Sequence, residues 1–240
     1  MVDISFAVPC YNEEKNIQRA LEGLVCALAG RPLTYEIIVI DDGSRDETSA
    51  TAKAYQAAHP DLPIQVKRNT TRRGLGASYF EGAAVAQGEY YMVVHGDGDM
   101  PAESLSKVID KMGQAEIVNP YVVNQGDRPF VRRVISFVFR KLVDLLGGHR
   151  LHYYTGPVLH RRANVLKAKT RTRGFGYQAE LLCYLLRRGC SVVEVPFVSK
   201  YHHHQTDAFH FSNFLSVSKS LYRIFLTRFT RRRMGTPSLK

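Results

Sequence analysis

The segment Glu36-Ile37-Ile38-Val39-Ile40-Asp41 carries a β-branched run with no polar alternation. Such a strand offers no face to water, so it is predicted to lie inside a parallel sheet with helices on both sides. Residues 4–9, 64–67, 89–95 and 116–123 read as further strands. Between them, 13–29 places Ile17, Leu21, Leu24 and Leu28 on one helical stripe. Ser44 and Glu47 read as a capping box opening a helix to about 58. Residues 76–87 form a small-residue helix, and Pro101 sits well as the first residue of a helix over 102–112. Strand alternating with helix predicts an α/β fold, a doubly wound and mostly parallel sheet. With 240 residues, 45% hydrophobic and 23% charged, the chain suits one such domain with one sizeable core.

Charge divides the chain. Residues 1–127 hold 11 Lys/Arg against 18 Asp/Glu, net −7, and residues 128–240 hold 22 against 4, net +18. The second half is therefore expected to meet something anionic. Residues 129–146 form a predicted helix with a broad apolar surface (Phe130, Val134, Phe137, Leu145 among others) and Arg132, Arg133, Arg140 and Lys141 on the remainder. Residues 211–229 resemble it and end near Arg231-Arg232-Arg233, with a helix over 177–188 and a strand over 192–197 in between. Apolar faces flanked by arginine fit helices lying in the plane of an anionic lipid surface. The first of them also fits a core helix or a homodimer interface. A nucleic-acid binder is the different-class reading of the +18; no recognised nucleic-acid module is present, so no nucleic-acid partner is expected.

Cys10, Cys26, Cys183 and Cys190 form no CxxC pair and match no zinc spacing, so they read as buried small hydrophobes in a reducing compartment. No signal peptide and no run of about 20 apolar residues is visible. The expected location is the cytoplasm, peripheral to the cytosolic face of a membrane.

Chemistry concentrates at strand ends, where open α/β sheets bind ligands. Asp41-Asp42 follow the second strand; Asp97-Gly98-Asp99 follow the fourth. Two carboxylates one residue apart can converge on Mg2+ or Mn2+ and leave positions open for phosphate oxygens. Gly-Asp-Gly-Asp is also turn composition. There is no P-loop, and the first strand is followed by Pro9-Cys10-Tyr11-Asn12-Glu13 rather than G-x-G-x-x-G.

Val8-Pro9-Cys10-Tyr11-Asn12-Glu13-Glu14, then Ile38 through Asp41-Asp42-Gly43-Ser44 to Thr48, then Gly74-Leu75-Gly76-Ala77, then Asp97-Gly98-Asp99 resemble, in order, the motifs of the family-two glycosyltransferases. The branch they resemble best is the dolichol- or polyprenol-phosphate sugar synthases. The resemblance is strong over about the first hundred residues, and weaker at Thr155-Gly156, Gly174-Phe175 to Glu180, and Glu194-Val195-Pro196. It implies a GT-A-type fold and an inverting, metal-dependent hexosyltransferase using a UDP- or GDP-linked sugar and a lipid phosphate. It further implies a nucleotide pocket lined by Pro9, Tyr11, Asn12 and Glu13. Asp41 would hold base or ribose there, Asp42 and Gly43 would lie beside it, and Gly74 and Gly76 would complete it. Asp97 and Asp99 would hold metal and diphosphate. Val158 stands where the family has an arginine, and 200–207 replaces its distal Arg-x-x-Gly-x-Ser-Lys. Both of those elements meet phosphate in the family, so the departures fall on the acceptor side.

A lipid phosphate acceptor needs no strong base, since its second ionisation lies near pH ~6. A soluble hydroxyl acceptor, the alternative, needs one; Glu180 is the candidate, with a structural role on its helix equally open. His202-His203-His204 with Asp207 and His210 admits a metal ligand, phosphate donors or a solvated loop. Tyr153-Tyr154 and the cations Arg161, Arg162, Lys167, Lys169, Arg171 and Arg173 form either a solvated surface or a loop for the anionic acceptor. On this reading 1–210 is the catalytic domain, with a donor half (1–127) and an acceptor half (128–210), and 211–240 is a basic C-terminal helix and tail.

Overall fold

The computed structural model describes residues 1–127, 129–168, 172–199 and 211–227. The strands are β1 (Ile4–Cys10), β2 (Tyr35–Asp41), β3 (Ile64–Arg68), β4 (Tyr90–Val93), β5 (Ile117–Val122), β6 (Leu159–Arg161) and β7 (Val192–Phe197). The helices are α1 (Ile17–Leu28), α2 (Thr48–Ala58), α3 (Leu75–Val85), α4 (Ala102–Ile109), α5 (Phe130–Gly147), α6 (Arg162–Lys167), α7 (Tyr177–Arg187) and α8 (Phe211–Thr227). One sheet runs β3-β2-β1-β4-β6-β5-β7, parallel except for β6, which is antiparallel to both its neighbours.

Side-chain alternation along β1 and β2 feeds two cores. Ile4, Phe6, Val8, Ile37 and Val39 pack with Leu21 and Leu24 of α1 and Leu105 and Val108 of α4. Ala7, Ile38 and Ile40 face Tyr79 of α3 and Leu181 and Leu182 of α7. Successive residues point to opposite faces, so an uninterrupted apolar strand is the requirement of helices on both sides. From β1 the chain winds outward through β2 to β3, then returns to β4 on the other side of β1. That reversal opens a crevice beyond the carboxyl ends of β1 and β4.

Three details depart from the sequence reading, and one alternative within it is excluded. β6 and α6 have no counterpart in it. The capping box at Ser44 does not form: Ser44 Oγ instead accepts the Asn12 N–H at 3.0 Å, and Asp46 Oδ1 receives the Thr48 N–H at 3.1 Å. A tertiary partner has outcompeted the local one. Cys26 is exposed, whereas Cys10, Cys183 and Cys190 are buried. Finally, α5 is not a core helix: of its 18 residues only Val143 and Gly147 are buried. No helix among the described residues is long and apolar enough to cross a membrane.

Candidate active site

The loops after β1 and β2 are stitched together by hydrogen bonds. Asn12 adopts φ 55°, which turns its side chain so that Oδ1 accepts the Arg45 N–H at 2.9 Å. The Glu13 N–H donates to Thr48 Oγ1 at 2.7 Å, and Glu14 N–H to Asp46 Oδ2 at 3.2 Å. Here short polar side chains satisfy backbone donors that the sheet leaves unpaired.

This rigid corner bounds a cavity of about 560 Å³, lined by Tyr11, Gly43, Ser44, Arg45, Arg68 and Asn69, and closed by 70–72. The Arg72 guanidinium lies 4.0 Å from the centre of the Tyr11 ring. Gly43 (φ 78°) passes so close to the next loop that a Cβ would stand 2.9 Å from the Thr71 carbonyl carbon. Asp41, at the end of β2, has no exposed surface. Its Oδ1 accepts the Ser44 N–H at 2.8 Å. Its Oδ2 takes no hydrogen bond and is faced by Arg68 Nε at 3.3 Å. The Arg68 guanidinium thus compensates the charge of this buried carboxylate.

Asp42 is differently used. Oδ1 accepts Asn69 Nδ2 at 3.0 Å and the Arg73 N–H at 2.9 Å; Oδ2 accepts the Gly74 N–H at 2.7 Å. It pins the cavity wall from behind.

Asp97-Gly98-Asp99 follows β4. The Gly96 N–H donates to Pro9 O at 3.1 Å, and a Cβ on Gly96 would stand 2.8 Å from Cys10 Cβ. The Asp42 N–H donates to Cys10 O at 2.9 Å. The ends of β2, β1 and β4 are therefore contiguous, and the two aspartate pairs flank Pro9-Cys10. The turn is held by the Asp99 N–H to Asp97 Oδ1 at 3.1 Å and by Arg19 Nη2 of α1 on Asp97 O at 2.8 Å. Both carboxylates are half-buried. No group of three His, Cys, Asp or Glu gathers for a metal among the described residues. Two hard oxygen donors at an open crevice fit Mg2+ or Mn2+, which takes one or two carboxylates and fills its remaining positions with water and phosphate.

Gly74 and Gly76 meet protein. A Cβ on Gly74 would stand 2.5 Å from Arg173 O, and one on Gly76 would overlap Thr172 O. The Gly76 N–H donates to Arg173 O at 2.9 Å. These glycines seat the start of α3 against the chain entering α7. Glu180, on α7 and only 4% exposed, accepts the Thr172 hydroxyl, and Arg223 of α8 lies 3.9 Å from the same oxygen. Burial raises its pKa, opposed by Thr172 and Arg223.

The basic cluster is partly committed to the fold. Arg161 pairs with Glu89 at 3.1 Å, Arg162 Nε donates to Ala83 O at 2.9 Å, and the buried Tyr154 donates its hydroxyl to Asp144 at 2.7 Å. Val158, in place of the family's arginine, is fully buried. Lys169, Arg171, His202–His204, Asp207, His210 and Arg231–Arg233 lie outside the described residues.

On α5, Phe130 is 73% exposed and Leu145 68%, with Val131, Val134, Ile135, Phe137, Val138 and Leu142 also open; Arg140 and Lys141 lie over the Phe137 ring. On α8, Tyr222, Phe225 and Leu226 are exposed, while Ser220 and Ile224 are buried.

A doubly wound sheet with acidic residues at its switch point is the GT-A arrangement. The chain belongs to glycosyl transferase family 2, whose family model matches residues 5–168. It is 32% identical over 138 residues to the dolichol-phosphate mannosyltransferase of Pyrococcus furiosus, covering 55% of this chain and 38% of that one. It is 30% identical over 201 residues to the polyprenol monophosphomannose synthase of Mycolicibacterium smegmatis, covering 79% and 74%. The chain thus spans well under half the length of the Pyrococcus relative. The Mycobacterium tuberculosis glucosyl-3-phosphoglycerate synthase, in complex with UDP, shares the fold at TM-score 0.72 and 18% identity, over 93% of this chain and 80% of that one. That synthase has also been solved with Mn2+, UDP and phosphoglyceric acid.

Proposed function

We propose that this chain transfers a sugar, with inversion, from a UDP- or GDP-linked donor to a polyprenol- or dolichol-phosphate-type lipid at the surface of an anionic membrane. The observation that carries the donor side is the nucleotide-sized cavity lined by Tyr11, Gly43 and Arg68, built on strand ends contiguous with the one that bears Asp97 and Asp99. Names borne by the Pyrococcus and Mycolicibacterium relatives support the acceptor.

The roles follow from chemistry. Asp41 is assigned to the base or a ribose hydroxyl, which it reaches as Arg68, on the cavity wall, gives way on binding. Tyr11, under Arg72, offers a stacking face. Asp42 and Asn12 keep the pocket preformed, so little ordering accompanies binding. Magnesium or manganese, held by Asp97 and Asp99, would supply Lewis-acid neutralisation of the leaving diphosphate. An oxygen of the acceptor phosphate, already anionic near neutral pH, forms the new bond to the anomeric carbon as the bond to the diphosphate breaks. Alignment of the two is the main contribution asked of the protein.

The exposed apolar faces of α5 and α8, flanked by cations, are assigned to the lipid surface, where aliphatic and aromatic side chains enter the acyl boundary and arginines meet anionic head groups. The cytosolic leaflet is the side proposed. We take 1–210 as the catalytic domain and 211–240 as its basic appendage.

The test is transfer from UDP- and GDP-linked sugars by the purified full chain on vesicles carrying a polyprenyl phosphate. Incorporation into lipid that requires Mg2+ or Mn2+ and the phosphorylated polyprenol supports the proposal. Transfer to a soluble hydroxyl acceptor without lipid overturns it.

A further inference from the structure

Glu180 occupies a position where a base would be sought for a hydroxyl acceptor, yet its surroundings describe another task. Oε2 accepts the Thr172 hydroxyl proton. Arg223 Nη1, reaching across from α8, donates to Thr172 Oγ1 at 2.8 Å and stands 3.9 Å from Glu180 Oε2. Thr172 is thus donor to one partner and acceptor from the other, so its single hydroxyl hydrogen is committed to Glu180. Arg187 of α7 adds a second tie, donating from Nη2 to Ile224 O of α8 at 2.9 Å.

Thr172 matters because of what its backbone touches. Its carbonyl and that of Arg173 form the surface on which Gly76 and Gly74 seat, too closely for any side chain. Gly74 and Arg73 donate to Asp42, and the loop just before them, 70–72, closes the cavity over Tyr11. A continuous path of polar contacts and close backbone packing therefore runs from α8 through Arg223, Thr172 and its neighbour Arg173, Gly74 and Asp42 to the donor wall. Such a path transmits position because packed backbone cannot deform by small amounts at low cost.

We propose that Glu180 and Arg223 are positioning residues: with Thr172 they form a strut by which α8 fixes the wall of the donor pocket. This rests on the reading of that pocket as the nucleotide site. The same strut joins the donor pocket to a helix that also carries the exposed Tyr222, Phe225 and Leu226.

The test uses the full chain in four forms: wild type, Arg223→Met, Arg223→Lys and Glu180→Gln. Calorimetry measures UDP and GDP binding in the presence of Mn2+, and initial rates separate donor KM from kcat. For Arg223→Met, the expected result is a rise of about tenfold in nucleotide Kd and donor KM, the effect of losing a charged hydrogen bond, with kcat changed far less. Arg223→Lys recovers most of the affinity. Glu180→Gln, which still accepts from Thr172, keeps kcat within about tenfold and an unaltered pH profile. If Arg223→Met does not fold, Thr172→Val breaks the same link from the other end, with Thr172→Ser as its rescue and the same tenfold expectation.

Two results overturn the strut while leaving the donor site standing: wild-type affinity in the link-breaking variants, or a loss of about a hundredfold or more in kcat for Glu180→Gln with nucleotide Kd intact, the size expected of a lost general base. Failure of the wild-type chain to bind either nucleotide overturns the donor site itself, and the strut with it.

Discussion

Carboxylates at the strand ends and cations on α5 are used in opposite ways. Asp41, Asp42 and Asp46 turn toward backbone N–H groups and hold loops at the strand ends. On α5, by contrast, Arg140 and Lys141 lie beside aromatic and aliphatic side chains that remain open to the exterior. A polar group hydrogen-bonded by backbone in a buried corner builds a fixed pocket. A charged group beside exposed apolar surface builds an adhesive one, with little fixed geometry. The donor half should accordingly be sensitive to single atoms, and the open face of α5 to overall apolar area and salt.

The largest effect expected is at the crevice. Asp97→Ala should reduce transfer by about a thousandfold, the scale of losing electrostatic stabilisation of a leaving group, with an unchanged circular dichroism spectrum. Retained transfer would dissolve the contrast, since the acidic turn would then be no more than a turn. Asp42→Ala should cost about 2–3 kcal/mol in denaturant unfolding, because three donors at the cavity wall lose their acceptor at once. On the adhesive side, Phe130→Ser combined with Leu145→Ser should weaken binding to anionic vesicles by about tenfold or more, from roughly 2 kcal/mol of apolar burial per side chain, while nucleotide affinity stays put. Loss of nucleotide binding in that double variant would show that the two regions are not separable.

The effect smallest at neutral pH concerns β6. Burial holds His160 neutral by pushing its pKa from 6.5 to about 3, and Gln178 Nε2 lies 2.9 Å from its Nε2. The unfolded chain takes up a proton as pH falls below the ordinary value, whereas the folded chain does so only near the depressed one. Stability should therefore fall with acid across that window by up to about 1.4 kcal/mol per pH unit. His160→Gln should flatten the slope in urea unfolding measured at successive pH values; an unchanged slope would assign the acid sensitivity elsewhere.

Much of this arrangement could be read before any coordinates. The apolar strands were legible because a strand covered on both faces cannot alternate, and Asp97-Gly98-Asp99 because it follows one of them. Other parts depend on partners far away in the chain. β6 is three residues long, carries His160 and Arg161, and owes its place to antiparallel pairing with β4 and β5. Ser44 and Glu47 satisfy the local rule for a helix cap, yet Asn12, more than thirty residues earlier, claims the hydroxyl. Gly74 and Gly76 were legible as glycines, but what they approach is Thr172 and Arg173, nearly a hundred residues later. Arg19, Arg68 and Arg223 look like any surface cation in sequence; Arg19 could have been suspected from its place on the outer face of the helix that follows the first motif. For α5, the amphipathic pattern of a core helix and of an interfacial one is the same. Packing excludes the core and leaves the apolar face open.

The most direct test of the central claim, that the contiguous ends of β2, β1 and β4 bind a nucleoside diphosphate through a cation on Asp97 and Asp99, is calorimetric titration of UDP and GDP with and without Mn2+, on wild type and on Asp99→Ala. One of the two nucleotides should bind the wild-type chain about tenfold or more tightly when Mn2+ is present, a gain of about 1.4 kcal/mol, and Asp99→Ala should abolish that gain. Equal affinities with and without the ion in the wild-type chain, or a Mn2+ effect that survives Asp99→Ala, would contradict the account.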